Sequence, residues 1–393
     1  MTRPQNVEDY QVLARKVLPK GIYEYVARGC EDDVAVDENT AAFRRIKLLQ
    51  RVMVDVSRRN SAIDLFGQRL SMPLVIAPTG SAALLCYEGE LVLARAAAAV
   101  GVPFVISGGA AVSMERIAKE AGGNLWFQIY MWQDEALSHQ VIDRARDAGM
   151  QALIITADSA APPNREYNIR NGFSQPFRIT PTNIVDVASH PRWVWNVLLR
   201  YLTTTGLPRY QNVPKEMRDP LTGRPARMVV SSTMDWGWLD RIRRIWPRTL
   251  IVKGLMTPED ALLAAQHGAD AVVVSNHGGR NLDSSPATLD VLPDIVNAVG
   301  HRLTVLLDGG IRRGSDIVKA RALGATAVLA GRPPLYGAAV DGEAGVKRVM
   351  ALLAREVDTT LALIGCSDIG RLDPSYLRLP GAQPLHVPAE TTR

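Results

Sequence analysis

The stretch Ser275-Asn276-His277-Gly278-Gly279-Arg280 sets an imidazole three residues before a guanidinium, directly after the apolar run Ala271-Val272-Val273-Val274. A continuous run of this kind reads as a strand buried on both faces. A titratable base beside a fixed cation suits proton abstraction from a substrate that carries a carboxylate, because a guanidinium binds a carboxylate through parallel N–H···O bonds. The two glycines let backbone come close to a ligand. Taken alone, the hexapeptide is also compatible with a solvated turn.

Seven more apolar runs end in polar or glycine residues. Leu74–Ala77 is followed by Pro78-Thr79-Gly80, and Phe104–Ser107 by Gly108-Gly109. Leu125–Tyr130 ends in Gln128-Ile129-Tyr130, Ala152–Thr156 in Thr156-Ala157-Asp158, and Thr249–Lys253 in Lys253. Leu303–Leu307 leads into Asp308-Gly309-Gly310-Ile311-Arg312, and Thr326–Ala330 into Gly331-Arg332. The last two loops join free backbone N–H groups to guanidinium groups, which is phosphate-binding chemistry at the seventh and eighth strands of a barrel.

Something must bring these ends together. Helical stretches lie between the runs at Glu90–Val100, Ser113–Ala121, Asp134–Ala148, Thr257–His267 and Gly314–Leu323, several closed by a glycine as helix C-caps commonly are. Eight strand–helix units predict an α/β protein, a (β/α)8 TIM barrel with its site at the C-terminal ends of the strands. A doubly wound open sheet is the alternative. Residues 1–45 read as a helical preface, 340–370 as a closing helix and 371–393 as a surface tail, all within a single domain over 1–393. The interval between the fourth and fifth runs is too long for one barrel loop and helix, so residues 172–234 read as an inserted excursion on the catalytic face.

At 47% hydrophobic and 22% charged, the composition is that of an ordinary globular chain. The net charge of +5 suits an anionic cofactor, substrate or membrane surface. No nucleic-acid partner is expected. Cys30, Cys86 and Cys366 are odd in number and far apart, which argues against a disulfide framework. No secretory signal is legible, so a cytoplasmic setting is expected.

With these stretches in order along nearly the whole chain, the sequence resembles the FMN-dependent L-2-hydroxy acid oxidising enzymes. The resemblance implies FMN over the strand ends, its phosphate held by Gly309, Gly310, Arg312, Gly331 and Arg332. It places Pro78, Thr79, Gly80, Ser107, Gln128, Thr156, Ser275 and Asp308 around the rest of the flavin, and Lys253 near its pyrimidine side as a stabilising cation. Arg280 and Arg165 would clamp the substrate carboxylate, Tyr25 and Tyr130 would add hydroxyl groups, His277 would be the base and Asp158 would stabilise its protonated form. A homotetramer is also implied.

The chain departs from the family at Pro163, which stands two residues before Arg165 where a glycine is usual. It departs again at Asn281, and at Gly108-Gly109-Ala110 in place of Thr-Ala-Ser. Gly80 is the residue common in members that pass electrons to an acceptor other than O2, and also in the monooxygenase, whereas members that react fast with O2 commonly carry alanine. Leu18-Pro19-Lys20, Val54-Asp55-Val56-Ser57-Arg58-Arg59 and the excursion with His190-Pro191-Arg192-Trp193 resemble the mandelate-oxidising branch. The expectation is therefore oxidation of (S)-mandelate or a similar aryl 2-hydroxy acid, with electrons passed to a quinone or carrier. Residues 185–210 pair aromatic and aliphatic side chains with arginines and could lie peripherally on the inner face of the cell membrane. L-lactate as substrate, O2 as acceptor, and a modified peptide as substrate are the competing expectations.

Overall fold

The computed structural model describes residues 4–173, 178–214, 217–221 and 230–381. Eight parallel strands close into a barrel: β1 Leu74–Ile76, β2 Phe104–Ser107, β3 Leu125–Tyr130, β4 Ala152–Thr156, β5 Thr249–Leu255, β6 Ala271–Val274, β7 Thr304–Asp308 and β8 Ala327–Ala330. Pairing runs in sequence order and closes where Val328–Ala330 of β8 meets Leu74–Ile76 of β1. The TIM barrel is thus the fold, and the open sheet is excluded. Each strand is apolar along its length because helices cover the outside and side chains fill the inside; Val272, Val273, Leu306 and Leu307 are fully buried.

The helices between strands begin where the sequence supplies caps. Ser113 accepts from Arg116 N–H at the start of Met114–Ala121, Asp134 from Ala136 N–H before Glu135–Asp147, and Thr257 from Asp260 N–H before Pro258–Gln266. A helix over Thr288–Val299, between β6 and β7, carries Pro293 inside it and escaped the sequence reading for that reason. The closing helix begins earlier than expected. It runs from Arg332 to Leu363 and breaks at Asp341 and Gly342, whose dihedrals are non-helical.

The preface forms three helices, α1 Val7–Val17, α2 Lys20–Ala27 and α3 Val34–Arg45. Helix α1 packs on the long C-terminal helix, and α3 on Thr288–Val299. Leu377–Arg378 pairs antiparallel with Lys47–Leu48, so the first part of the expected tail is tied to the preface; the rest of it, from 382 onward, lies outside the described residues.

In the excursion, Pro181–Ala188 is helical, and Pro191–Thr203 forms a second helical run with a π-type stretch at Val194–Leu199. Trp193, Val197 and Tyr201, four residues apart, are buried against the barrel. Trp193 Nε1–H donates to Leu84 O at 2.7 Å, and Tyr201 Oη accepts from Glu88 N–H at 2.8 Å. The opposite face leaves Trp195, Leu199 and Leu202 exposed, and Ile184 and Val185 are exposed on the helix before it.

Candidate active site

A cavity of about 330 Å³ opens at the C-terminal ends of the strands. Of the residues singled out from sequence, Tyr25, Pro78, Thr79, Gly80, Ser107, Tyr130, Arg165, Lys253, His277, Arg280, Asp308, Gly309, Gly310, Arg312, Gly331 and Arg332 line it. Four do not. Gln128, Thr156 and Ser275 form a buried layer behind the wall: Ser107 Oγ donates to Gln128 Oε1 at 3.2 Å, Gln128 Nε2 to Thr156 Oγ1 at 2.9 Å, and Lys253 Nζ to Ser275 Oγ at 2.8 Å. The fourth, Asp158, stands behind His277.

His277 and Asp158 form a dyad. Nδ1 of His277 lies 2.9 Å from Asp158 Oδ1 and 3.2 Å from Oδ2, so the carboxylate holds the proton on Nδ1 and leaves Nε2 bare towards the cavity. Tyr130 Oη is 3.3 Å from Nε2. Burial pushes the imidazole below its ordinary value and Lys253 and Arg280 add to this, outweighing the upward pull of Asp158; the ring is a neutral base at neutral pH. Burial raises the Asp158 carboxyl, but His277 and Lys253 pull harder and hold it below the usual range.

Both partners need special backbone. His277 sits in the left-handed region at φ 58°, a conformation that persists only where the surroundings enforce it. Gly254 has φ 105°, and a Cβ there would lie 2.6 Å from Asp158 Cβ. The residue after Lys253 must therefore be glycine, and it falls at the register shift of β5.

The floor is cationic. Lys253, 4% exposed, has Nζ 3.1 Å from Asp308 Oδ2. Burial lowers its pKa, yet Asp308 and Asp158 raise it further, and it stays charged. On the other side, Arg165 Nε and Nη2 donate to Arg280 O at 3.3 and 3.1 Å, and the Arg280 guanidinium lies 5.0 Å from the Tyr25 ring centre. Arg332 donates to the carbonyls of Val26, Arg28 and Gly278. Burial first, then Arg280, lowers the pKa of Arg165; burial, Arg312 and Arg280 bring Arg332 down to about 10. Guanidinium groups crowded together, with backbone carbonyls as their hydrogen-bond partners among the described residues, are arranged to receive an anion.

Residues not singled out individually from sequence also line the wall, among them Ser81 in the loop after β1, Trp132 after β3, and Tyr210 and Val230 in the excursion. Trp132 forms a bridge with Val230, and Gln211 N–H donates to Ala110 O at 3.1 Å, so the excursion returns to close the pocket. For Tyr210 and Val230, only their position in the folded excursion marks them. Gly80 has no left-handed dihedral, and a Cβ there would meet nothing nearer than 3.9 Å. Neither backbone nor crowding requires a glycine at this position.

The sequence profile of FMN-dependent dehydrogenases matches residues 14–379. Among curated proteins, (S)-mandelate dehydrogenase of Pseudomonas putida is 41% identical over 96% of this chain and 94% of its own. L-lactate oxidase of a Nostoc species is 39% identical, covering 96% and 99%, and glycolate oxidase of Spinacia oleracea is 37% identical, covering 95% of each. Among solved structures, the monotopic membrane protein (S)-mandelate dehydrogenase superposes with a TM-score of 0.91 at 40% identity, covering 96% of this chain and all of that one.

Proposed function

The chain belongs to the FMN-dependent dehydrogenase family, whose members oxidise 2-hydroxy acids, and from that footing we propose that it converts (S)-mandelate or a similar aryl 2-hydroxy acid to the 2-oxo acid and passes the electrons to a quinone or other carrier. The observation that carries this reading is the His277–Asp158 dyad, with bare Nε2 facing a cavity that Arg165 and Arg280 also line. A base and a carboxylate clamp on one small cavity suit a 2-hydroxy acid.

The residues fit FMN. Among the described residues, Thr79 Oγ1 and Asp308 Oδ1 are buried at the cavity without a hydrogen-bond partner, and Arg312, Arg332, Gly309, Gly310 and Gly331 surround one end of it. That end would take the phosphate, with Pro78, Thr79, Gly80, Ser107 and Lys253 along the ring system and Gln128, Thr156 and Ser275 behind. FMN, when bound, supplies the two-electron acceptor.

The chain's own residues do the rest. Arg165 and Arg280 orient the substrate through its carboxylate, helped by the hydroxyl groups of Tyr25 and Tyr130. His277 accepts a proton at Nε2, and Asp158 stabilises the imidazolium through Nδ1–H. Burial pushes the Tyr130 hydroxyl up to about 12, so it serves as a hydrogen-bond donor and not as a base. Trp132, Tyr210 and Val230 give the pocket an apolar wall that suits an aryl substituent. Anaerobic flavin bleaching across (S)-mandelate, L-lactate and glycolate tests this; bleaching by mandelate no faster than by lactate would sink the aryl preference.

Glycine at position 80, a residue that the family resemblance associates with acceptors other than O2, supports a carrier as acceptor. Reoxidation of the reduced enzyme in air within its turnover time would reverse that reading. The exposed face of Ile184, Val185, Trp195, Leu199 and Leu202, with Arg192 and Arg200 in the same segment, supports peripheral membrane contact. No helix among the described residues is long and apolar enough to cross a membrane. Binding to anionic vesicles that survives deletion of residues 185–210 would count against the contact.

A further inference from the structure

Asn39, on helix α3 of the preface, lies 237 residues away in sequence from Asn276, yet the two side chains pair reciprocally. Asn39 Nδ2 donates to Asn276 Oδ1 at 2.9 Å, and Asn276 Nδ2 donates back to Asn39 Oδ1 at 3.0 Å. The two are 2% and 5% exposed. Asn276 completes its inventory with Gly279 N–H donating to Oδ1 at 3.2 Å and Nδ2 donating to Pro286 O at 3.0 Å. Both bonds span the turn that carries His277.

That turn is under strain, with His277, Gly278 and Gly279 all at positive φ. Three successive left-handed residues do not hold themselves; they need outside contacts. The preface supplies them. A Cβ on Gly279 would lie 2.6 Å from Val36 N, so the turn is pressed directly onto the start of α3, and Cys30 N–H donates to Gly279 O at 3.1 Å.

Asn39 also reaches the other half of the site. Its Oδ1 accepts from Thr288 N–H at 3.2 Å, and Thr288 Oγ1 donates to Asp308 O at 2.5 Å. A Cβ on Gly310 would lie 2.1 Å from Asn39 O. The Asn39 side chain therefore contacts both the His277 turn and Thr288, whose hydroxyl donates to Asp308 O, while the Asn39 backbone carbonyl packs against Gly310.

We propose that Asn39 is a positioning residue for the reaction, fixing the His277 turn against the Asp308–Gly310 loop by way of Asn276. This rests on His277 being the base. Asn39→Ala leaves one buried Nδ2–H of Asn276 unmatched and its Oδ1 with Gly279 N–H alone, and frees the turn to relax at His277, while the Arg280 guanidinium keeps its hydrogen bonds to Tyr25 O and Arg28 O. In the flavin-loaded variant, flavin reduction at saturating substrate falls about tenfold or more while KM stays within about twofold, as expected when a base is misplaced and binding is not. Amide hydrogen exchange speeds up at 276–280 but not in Thr249–Lys253, which a general loss of stability would not produce. Asn39→Asp, which keeps the acceptor and loses the donor, recovers part of the rate. Should the alanine variant not fold, the aspartate variant carries the same two readouts.

A reduction rate within about twofold of the parent, or exchange that quickens equally throughout the barrel, overturns the proposal. So does failure of both variants to fold. A His277→Gln variant that reduced flavin at the parental rate would instead remove the underlying assignment of the base, leaving the exchange result to stand by itself.

Discussion

Two sets of cations share one cavity and differ in what neutralises them. Lys253 is buried with Asp308 at 3.1 Å and Asp158 close enough to raise its pKa, so its charge is settled within the protein. Arg165, Arg280 and Arg332 face one another with backbone carbonyls as their protein partners, and the pKa values of Arg165 and Arg332 are lowered. The first set is permanent furniture of the fold. The second is complete only when an anion arrives. A buried charge whose partner is removed is costly, whereas a like-charged group removed from a cluster relieves repulsion.

The largest effect should follow from breaking the compensated set. Lys253→Met leaves the Asp308 carboxylate buried beside an apolar side chain and should cost about 3–5 kcal/mol of stability, read by denaturant unfolding. An unchanged midpoint would show that the two sets do not differ as described. Arg280→Met should do the reverse: kcat/KM for 2-hydroxy acids falls about 10²–10³-fold while stability holds or rises. Loss of stability comparable to that of Lys253→Met would erase the distinction.

A carboxylate without a 2-hydroxyl, such as phenylacetate, should stabilise the parent protein by about 2.7 kcal/mol at a hundred times its Kd. It should stabilise Arg280→Met at the same concentration far less. Thermal melts of both proteins across a titration check this.

The smallest effect is in pH. The working form of His277 is neutral, and its pKa in the folded protein is lowered, so the base remains active at pH values where an ordinary imidazole would already be protonated. The acid limb of kcat/KM should lie below the ordinary histidine value of about 6.5, with activity lost as pH falls through it. Asp158→Asn removes a contribution that raises this pKa, so it should shift the limb lower still while slowing the reaction. A limb above about 6.5 in the parent would mean that the Asp158 interaction outweighs burial.

Much of this was legible in the sequence because a buried parallel strand is apolar throughout and its boundaries are marked by the polar residue that leaves it. Lys253, His277 and Asp308 announce themselves as chemistry at the ends of such runs. Arg165 lines the cavity even though Pro163 replaces the usual glycine before it. What escaped had no local signal. Asn39 is one polar residue on an ordinary helix, and its meaning lies in Asn276 on the far side of the chain. Tyr210 and Val230 reach the pocket through the folding of the excursion, which no periodicity encodes. The Thr288–Val299 helix hid behind Pro293, because proline inside a helical stretch argues against it locally while tertiary packing on α3 and on the helix Pro258–Gln266 tolerates it.

The pairing of Lys47–Leu48 with Leu377–Arg378 bears on the order in which the molecule can be built. The preface precedes the barrel in the chain, yet several of its partners lie far along it: Asn276, Gly279, Arg332 and finally the strand at 377–378. Until those residues are made, the preface has only earlier partners, such as Tyr167, whose hydroxyl donates to Gly29 O. The turn bearing His277 needs Cys30, Val36 and Asn39 of the preface against it, so His277 reaches its place only once the preface has docked on the chain beyond β6.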